Sequence, residues 1–285
     1  MWILLAVISA VCLGFYDVFK KISVRENNVL GVLLLNTLFS ALLMSPVLFT
    51  GAGLGPGVIG HVQILLKSCI VLSSWILGYF AIKHLPLTIQ GPINASRPVI
   101  VLVGALLIFG EKLNLLQWAG VLLGFSSLFF ISRIGAKEGF AFKRSKWLWF
   151  SLGATMMGAV SALYDKYLLQ YYEPLSVQAW YSLYQLVIMG IALTLMIKAG
   201  HGGGKLVWRW AIPCISIFLT IADVAYFYSL SLDDSMISIV SMIRRGSVII
   251  SFFYGVVALH ETHVRQKLID LGVLLVSLML LVLGS

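Results

Sequence analysis

"GPINASRPVIVLVG" (residues 91–104) is too apolar for water, yet Arg97 sits near its centre. "SIVSMIRRGSVIISFFYG" (residues 238–255) repeats the oddity with Arg244 and Arg245. A charge at mid-membrane costs about 2.5–3.5 kcal/mol on insertion scales, so such arginines face protein or water rather than lipid. Their placement decides how the rest of the chain is read.

Sixty per cent of the 285 residues are apolar or aromatic and 11% are charged, against roughly 25% charged in soluble domains. The charges are also segregated. None occurs over 27–60, 113–132, 147–164 or 174–197. Apolar runs of roughly 18–25 residues cross a bilayer as helices. The pattern predicts an all-α membrane protein with ten transmembrane helices, at 2–19, 29–50, 63–82, 87–109, 114–132, 147–170, 175–197, 207–230, 235–259 and 266–284. The first run lacks a basic leader and a cleavage site, so it reads as a retained span. Cys12, Cys69 and Cys214 all fall in apolar segments and suit small buried hydrophobes. The formal charge of +9 reflects basic loops between spans rather than nucleic-acid binding.

The chain repeats itself. Tyr16-Asp17 matches Tyr164-Asp165, "GYF" (78–80) matches "AYF" (225–227), Arg97 matches Arg244–Arg245, and Glu111 matches Glu261, with an offset of 147–150 throughout. Five spans per half is an odd number, so the second half inserts upside down, giving a 5+5 inverted repeat. Such repeats build transporters with a substrate site near the midplane. The expected units are 1–132, a basic cytoplasmic linker over 133–146, and 147–285. Loop charge sets orientation. Fourteen of the 20 Lys and Arg residues fall in odd-numbered loops, and only Lys67, Lys112 and Lys166 at even-numbered ones. This bias places the odd loops in the cytoplasm and both termini outside, in a plasma or bacterial inner membrane.

The stretch 78–132 carries further signals: "YFAIKHLP" closing span three, a proline-containing span four ending in "GEKL", and Gly120 early in span five. It resembles the EamA domain of the drug/metabolite transporter superfamily. Residues 225–284 resemble a second, divergent copy, with "LHE" for "FGE" and no proline in "MIRRGSVI". The resemblance implies ten helices, a central cavity lined largely by spans three, four, eight and nine, and export or exchange of small metabolites. It also implies cytoplasmic termini, contrary to the loop charges.

Gln90, Asn94 and Arg97 share one helical face, as do Asp234, Ser238, Ser241 and Arg245, with Arg244 one turn from Ser241. Two matched polar stripes ending in Arg suit bidentate capture of a carboxylate or phosphate. The plainer reading is internal ion pairing, with Asp223 in span eight as the obvious partner of Arg244 or Arg245. Asp17 and Asp165 read as a gate or a structural latch, and Asp17 reaches Lys20 or Lys21 at helical spacing. Glu111 and Glu261 open the following helices, where acids suit the dipole; proton coupling is the alternative. Trp75, Tyr79 and Tyr226 lie on cavity-lining spans under the resemblance. Pro86, Pro92 and Pro98 mark hinges or packing kinks in span four. Gly120 and Gly124 permit close helix approach, within the chain or in a homodimer.

"NAS" (94–96) is a glycosylation sequon buried in a span. "HGGGK" (201–205) lacks phosphate-loop spacing, and His260-Glu261-x-His263 is too short for a zinc-protease motif. No catalytic constellation, cofactor site or metal site is expected. The leading expectation is a secondary transporter, exporting or exchanging a small anionic or zwitterionic metabolite by alternating access and driven by substrate gradient, exchange or protons. A flippase for a lipid-linked or phospholipid headgroup is the first alternative. A non-transporting receptor or scaffold is the second, and the span-matched arginines argue against it.

Overall fold

The computed structural model describes residues 2–50, 56–97, 99–101, 114–116, 118–120, 122–124, 126–127, 130, 145–169, 171–198, 206–232, 240, 243–244, 246–259 and 264–283. Among these the regular structure is helical throughout. The helices are α1 (Trp2–Val24), α2 (Val29–Leu48), α3 (Gly57–His84), α4 (Leu87–Ala95), α5 (Lys146–Leu168), α6 (Pro174–Lys198), α7 (Ala211–Ser231), α8 (Ser247–Leu259) and α9 (Val264–Leu283). The described residues between 115 and 127 are helical too. Five helices (α1, α2, α3, α6 and α7) are long and apolar enough to cross a bilayer. The protein is an all-α integral membrane protein.

Local chemistry explains the ends. Asn28 caps α2 through its side chain, which accepts from the Leu30 amide at 3.1 Å. Gly57 opens α3 with φ of 59°, a left-handed conformation that costs glycine no steric strain. Helix α3 therefore starts six residues before the expected Gln63. Helix α1 runs to Val24 rather than residue 19, because its last turns bury Ser23 and Lys20 instead of exposing them.

The largest departure concerns span four. A continuous helix is expected over 87–109, but α4 ends at Ala95 and the chain turns at Ser96. There the bonds tighten to three-residue spacing: Ser96 N donates to Ile93 O (3.3 Å) and Val99 N to Ser96 O (3.0 Å). Span nine breaks alike, with Gly246 N on Ile243 O (2.9 Å) and Ile249 N on Gly246 O (3.0 Å). The two breaks lie 150 residues apart in sequence. Pro98 has no amide hydrogen to continue the first ladder; at the second, a Cβ on Gly246 would come within 2.9 Å of Ile243 O. Each break adjoins a half-buried arginine, Arg97 or Arg244.

Helices α1 and α7 pack along their length, as do α3 and α5, and α2 and α6. Trp2 O meets Ser229 Oγ (3.0 Å), Ser9 Oγ meets Ala222 O (2.7 Å), and the Phe15 and Phe218 rings are 5.3 Å apart. The register makes α1 and α7 antiparallel. One apolar cluster gathers Ala6, Ile64, Leu168, Val177 and Tyr226 at the face where α1 begins, here the terminal face. Another gathers Val24, Val29, Tyr79, Leu87 and Ile215 at the opposite face.

Several hydroxyl bonds occur in matched sets. Ser9 Oγ donates to Ala222 O between α1 and α7, and Ser74 Oγ to Ala154 O (2.8 Å) between α3 and α5. Ser216 Oγ donates to Asn36 O (3.0 Å) between α7 and α2, and Ser68 Oγ to Tyr181 O (3.2 Å) between α3 and α6. Residues 9 and 36 map onto 154 and 181 at one offset, and 68 and 74 onto 216 and 222 at another three larger.

Candidate functional site

Helix α4 lies against α5 and α8. Asn94 and Arg97 both face α5, as their three-residue spacing predicts. Asn94 Oδ1 accepts from Thr155 Oγ1 at 3.2 Å. One turn on, the Arg97 guanidinium fills the space over Gly158, where a Cβ would collide with it. Gln90, on the same stripe, is buried. Arg97 lies within electrostatic reach of Arg244, Asp17, Tyr16 and Tyr226. Its Nε has no hydrogen-bond partner, and no described carboxylate is within ion-pair distance of it.

Arg244 is held differently. It forms an ion pair with Asp223 of α7, the partner expected from sequence. The Asp223 carboxylate also accepts the Tyr181 hydroxyl at 3.0 Å. The Arg244 guanidinium stacks over the Tyr226 ring, 4.0 Å from its centroid. Of Arg97 and Arg244, therefore, the second is neutralised by a carboxylate and the first has none within ion-pair distance among the described residues.

Two lysine–aspartate pairs flank these arginines. Toward the opposite face, Lys20 Nζ is 2.8 Å from Asp17 Oδ1 in the same helix, and lies over the Tyr16 and Tyr79 rings (4.2 and 5.2 Å to the centroids). Tyr79 is fully buried there, with Trp75 packed on the same cluster. Toward the terminal face, Lys67 of α3 pairs with Asp165 of α5, under the Tyr181 and Phe227 rings (4.8 and 5.0 Å). Asp165 and Asp17 stand 148 residues apart, at the offset seen in the sequence, yet their lysines come from different places.

Arg245, Ser241, Asp234, Ser238, Glu111 and Glu261 lie outside the described residues, as does the linker up to Arg144. Gly120 and Gly124 pack within the chain. Gly120 O accepts from Ser277 Oγ at 2.7 Å, and a Cβ on Gly124 would sit 2.7 Å from Val99 Cγ2. Sequence reasoning paired Asp17 with Lys20 or Lys21, and the structure shows Lys20; it missed Lys67, Tyr181 and Gly158 as members of this interior. Lys67 reads as a loop-edge charge, but it is buried ten residues into α3. Its isolation in "VQILLKSCIVL" was the available signal. Lys267, counted with a loop, is likewise buried in α9, near Asp270, which accepts from Ser127 at 3.0 Å.

The fold is similar to that of a crystal structure of another protein, with a TM-score of 0.69 and 15% identical residues over 99% of this chain and 98% of that one. No curated protein matches the sequence. Residues 1–133, which carry α1 to α4 and Arg97, match the EamA-like transporter family. The match spans just under half of the chain, and over those residues the chain is similar to EamA-like transporters, consistent with the drug/metabolite transporter superfamily.

Proposed function

We propose that the protein is a secondary transporter, not an enzyme, exporting or exchanging a small metabolite that carries a carboxylate or phosphate. The observation that carries this reading is the state of Arg97. It is a half-buried guanidinium at a helix break, its Nε buried without a hydrogen-bond partner and with no described counter-ion, beside an Arg244 that has one. An uncompensated buried cation is expensive, and an anionic group on a passing substrate would offset that cost. Tyr226, Gln90, Asn94, Tyr79 and Trp75 would form the polar and aromatic walls. Arg245 and Ser241 would extend the stripe on span nine.

The architecture we propose is a ten-span inverted repeat, with units 1–132 and 147–285 joined by a basic linker. The reciprocal packing supports it. Span one meets span eight as span three meets span six, and the hydroxyl bonds recur at matched positions. In alternating access the two units rock about the arginine layer. The breaks at Ser96 and Gly246 supply hinges, because a ladder interrupted by three-residue bonds bends more readily than a regular helix.

The test is a thermal-shift screen of purified protein against organic acids, amino acids, sugar phosphates and phospholipid headgroups. A specific ligand at about 100 times its Kd stabilises by about 2.7 kcal/mol. A class of anion that raises the Tm of the wild type but not of Arg97→Gln, and that exchanges across proteoliposomes, is the expected result. An active substrate bound equally well by Arg97→Gln would remove the arginine from the site. A hit among headgroups alone would favour the flippase reading.

A further inference from the structure

The two flanking lysine–aspartate pairs are not equivalent. Each repeat places an aspartate at the same position, Asp17 in α1 and Asp165 in α5. Asp17 is neutralised inside its own helix, by Lys20 one turn on. Asp165 is neutralised by Lys67, which belongs to the other half of the chain. At the repeat offset from Lys67 stand Cys214, Ile215, Ser216 and Ile217, and at that offset from Lys20 stand Tyr167, Leu168, Leu169 and Gln170. Neither pair can therefore be exchanged for the other by the repeat.

The lysine side chain of the inter-half pair is 3% exposed and the aspartate side chain 12%. Burial at this level makes separation of the partners costly, because each charge is then left without compensation in a poor solvent. Glu26 and Arg209 also pair between the halves, at the opposite face, but those side chains are 56% and 35% exposed. Exposed pairs hold little. The buried ionic tie between halves among the described residues therefore sits on one side of the arginine layer. It lies seven residues beyond Gly158 in α5, two turns or about 10 Å nearer the terminal face.

The tie is also connected to the site. Tyr181 of α6 donates its hydroxyl to Asp223, the partner of Arg244, and the same ring lies 4.8 Å beneath Lys67 Nζ. Arg244, Asp223, Tyr181, Lys67 and Asp165 thus form one unbroken series of contacts across five helical segments. Above it Gln63, one turn before Lys67, binds three tyrosines: Tyr164 through its backbone carbonyl (3.3 Å), Tyr172 through Oε1 (2.8 Å) and Tyr167 through Nε2 (3.2 Å).

We propose that Lys67–Asp165 is the terminal-face gate of the transporter, and that Tyr181 reports to it the state of the Arg244–Asp223 pair. The proposal rests on the transporter reading for its purpose, but not for its measurement. With Arg244 on Asp223, Tyr181 is fixed under Lys67 and the halves are tied. When an anionic group draws Arg244 away, Asp223 is held by the Tyr181 hydroxyl alone, the two shift together, and the ring moves from beneath Lys67 and releases it. On the other side, where Asp17 is satisfied within α1, no buried ion pair between the halves is found among the described residues. The protein is thus biased to rest closed at the terminal face.

The experiment reads closure without a substrate. Ser161, one turn before Asp165 and buried, is changed to cysteine in a chain whose Cys12, Cys69 and Cys214 are replaced by serine. A membrane-impermeant thiosulfonate is applied to proteoliposomes from the terminal face, and the labelling rate is compared. Lys67→Gln and Asp165→Asn should each label at least about tenfold faster, as loss of a buried pair predicts. The swapped pair, Lys67→Asp with Asp165→Lys, should return most of the protection. Arg244→Gln should accelerate labelling, and that acceleration should vanish in Tyr181→Phe. Unchanged rates in both single variants overturn the gate. A swapped pair as fast as the singles overturns it too, since general loosening then explains them. An Arg244→Gln effect that persists in Tyr181→Phe overturns the connection. Failure of the ligand screen leaves these rates unaffected, so the two readings fall separately.

Discussion

Arg97 lies directly on Gly158, with no room between them for a side chain. The contact joins the break in span four to the middle of α5, and it fixes where the guanidinium points. Gly158→Ala should push Arg97 out of this seat. Overpacking of this kind costs about 1–3 kcal/mol, and helix propensity returns about 1 kcal/mol of it. We expect a small change in Tm but a large loss of transport. Full transport by Gly158→Ala would show that the position of Arg97 is unimportant.

The two arginines should respond oppositely to neutralisation. Arg244→Gln strands Asp223, which keeps only the Tyr181 hydroxyl, and loss of one partner from a buried pair costs about 3–5 kcal/mol. Arg97→Gln strands no described carboxylate, so the folded state should be as stable as the wild type or more so. Melting in detergent checks both. Asp223→Asn combined with Arg244→Gln should cost less than the two single changes added together, because the pair is lost once. Equal destabilisation by Arg97→Gln would mean that it has a partner of its own.

The polar stripes were legible because they obey helical spacing. Asn94 and Arg97 reach neighbouring residues of α5, and Asp223 reaches Arg244, as the sequence implied. The seats were not legible. Gly158 has no side chain to signal its role, and only the packing of α4 on α5 reveals that a guanidinium occupies its space. Lys67 was misread because a lone lysine near a span's start resembles a loop charge. Its partner Asp165 is 98 residues away, and no local pattern pairs them. The breaks were half legible: Pro98 announced one, while Gly246, in a run without proline, announced little.

The span-nine break depends on Gly246. A Cβ there would approach Ile243 O to 2.9 Å, closer than backbone normally tolerates, so Gly246→Ala must shift the turn that follows Arg244. The clash should cost about 1–3 kcal/mol, as overpacking does, and disturb the Arg244–Asp223 pair. Spin labels at exposed Tyr228 and Ile249 should report a changed α7–α8 distance. An unchanged distance and Tm would mean that the turn tolerates a side chain.

The inverted repeat makes a crosslinking prediction. Ser9→Cys with Ala222→Cys and Ser74→Cys with Ala154→Cys replace two matched contacts, in which the hydroxyls now lie 2.7 and 2.8 Å from the opposing carbonyls. Backbones that close permit short crosslinks. In a chain without its native cysteines, both pairs should join under mild oxidation or a short bifunctional reagent, at similar rates. One pair joining while the other does not would break the equivalence of the halves.

Orientation can be settled independently of the substrate. The structure removes some charges from the loop tally, since Lys20 and Lys267 on the odd side and Lys67 on the even side are buried in helices. The remaining loop-side residues still favour the odd loops, by twelve to two. Positive loops stay in the cytoplasm, so both termini should lie outside, against what the family resemblance implied. A phosphatase that works only outside the cytoplasm should be active when fused to Ser285, and a cytoplasm-dependent fluorescent protein dark. A matching reporter at Met1 should agree, because an even number of spans returns the chain to its starting side. Opposite signals at the two ends would exclude ten spans. Fluorescence at both would show that the charge bias is overridden, and would place the Lys67–Asp165 tie on the cytoplasmic side of the arginine layer.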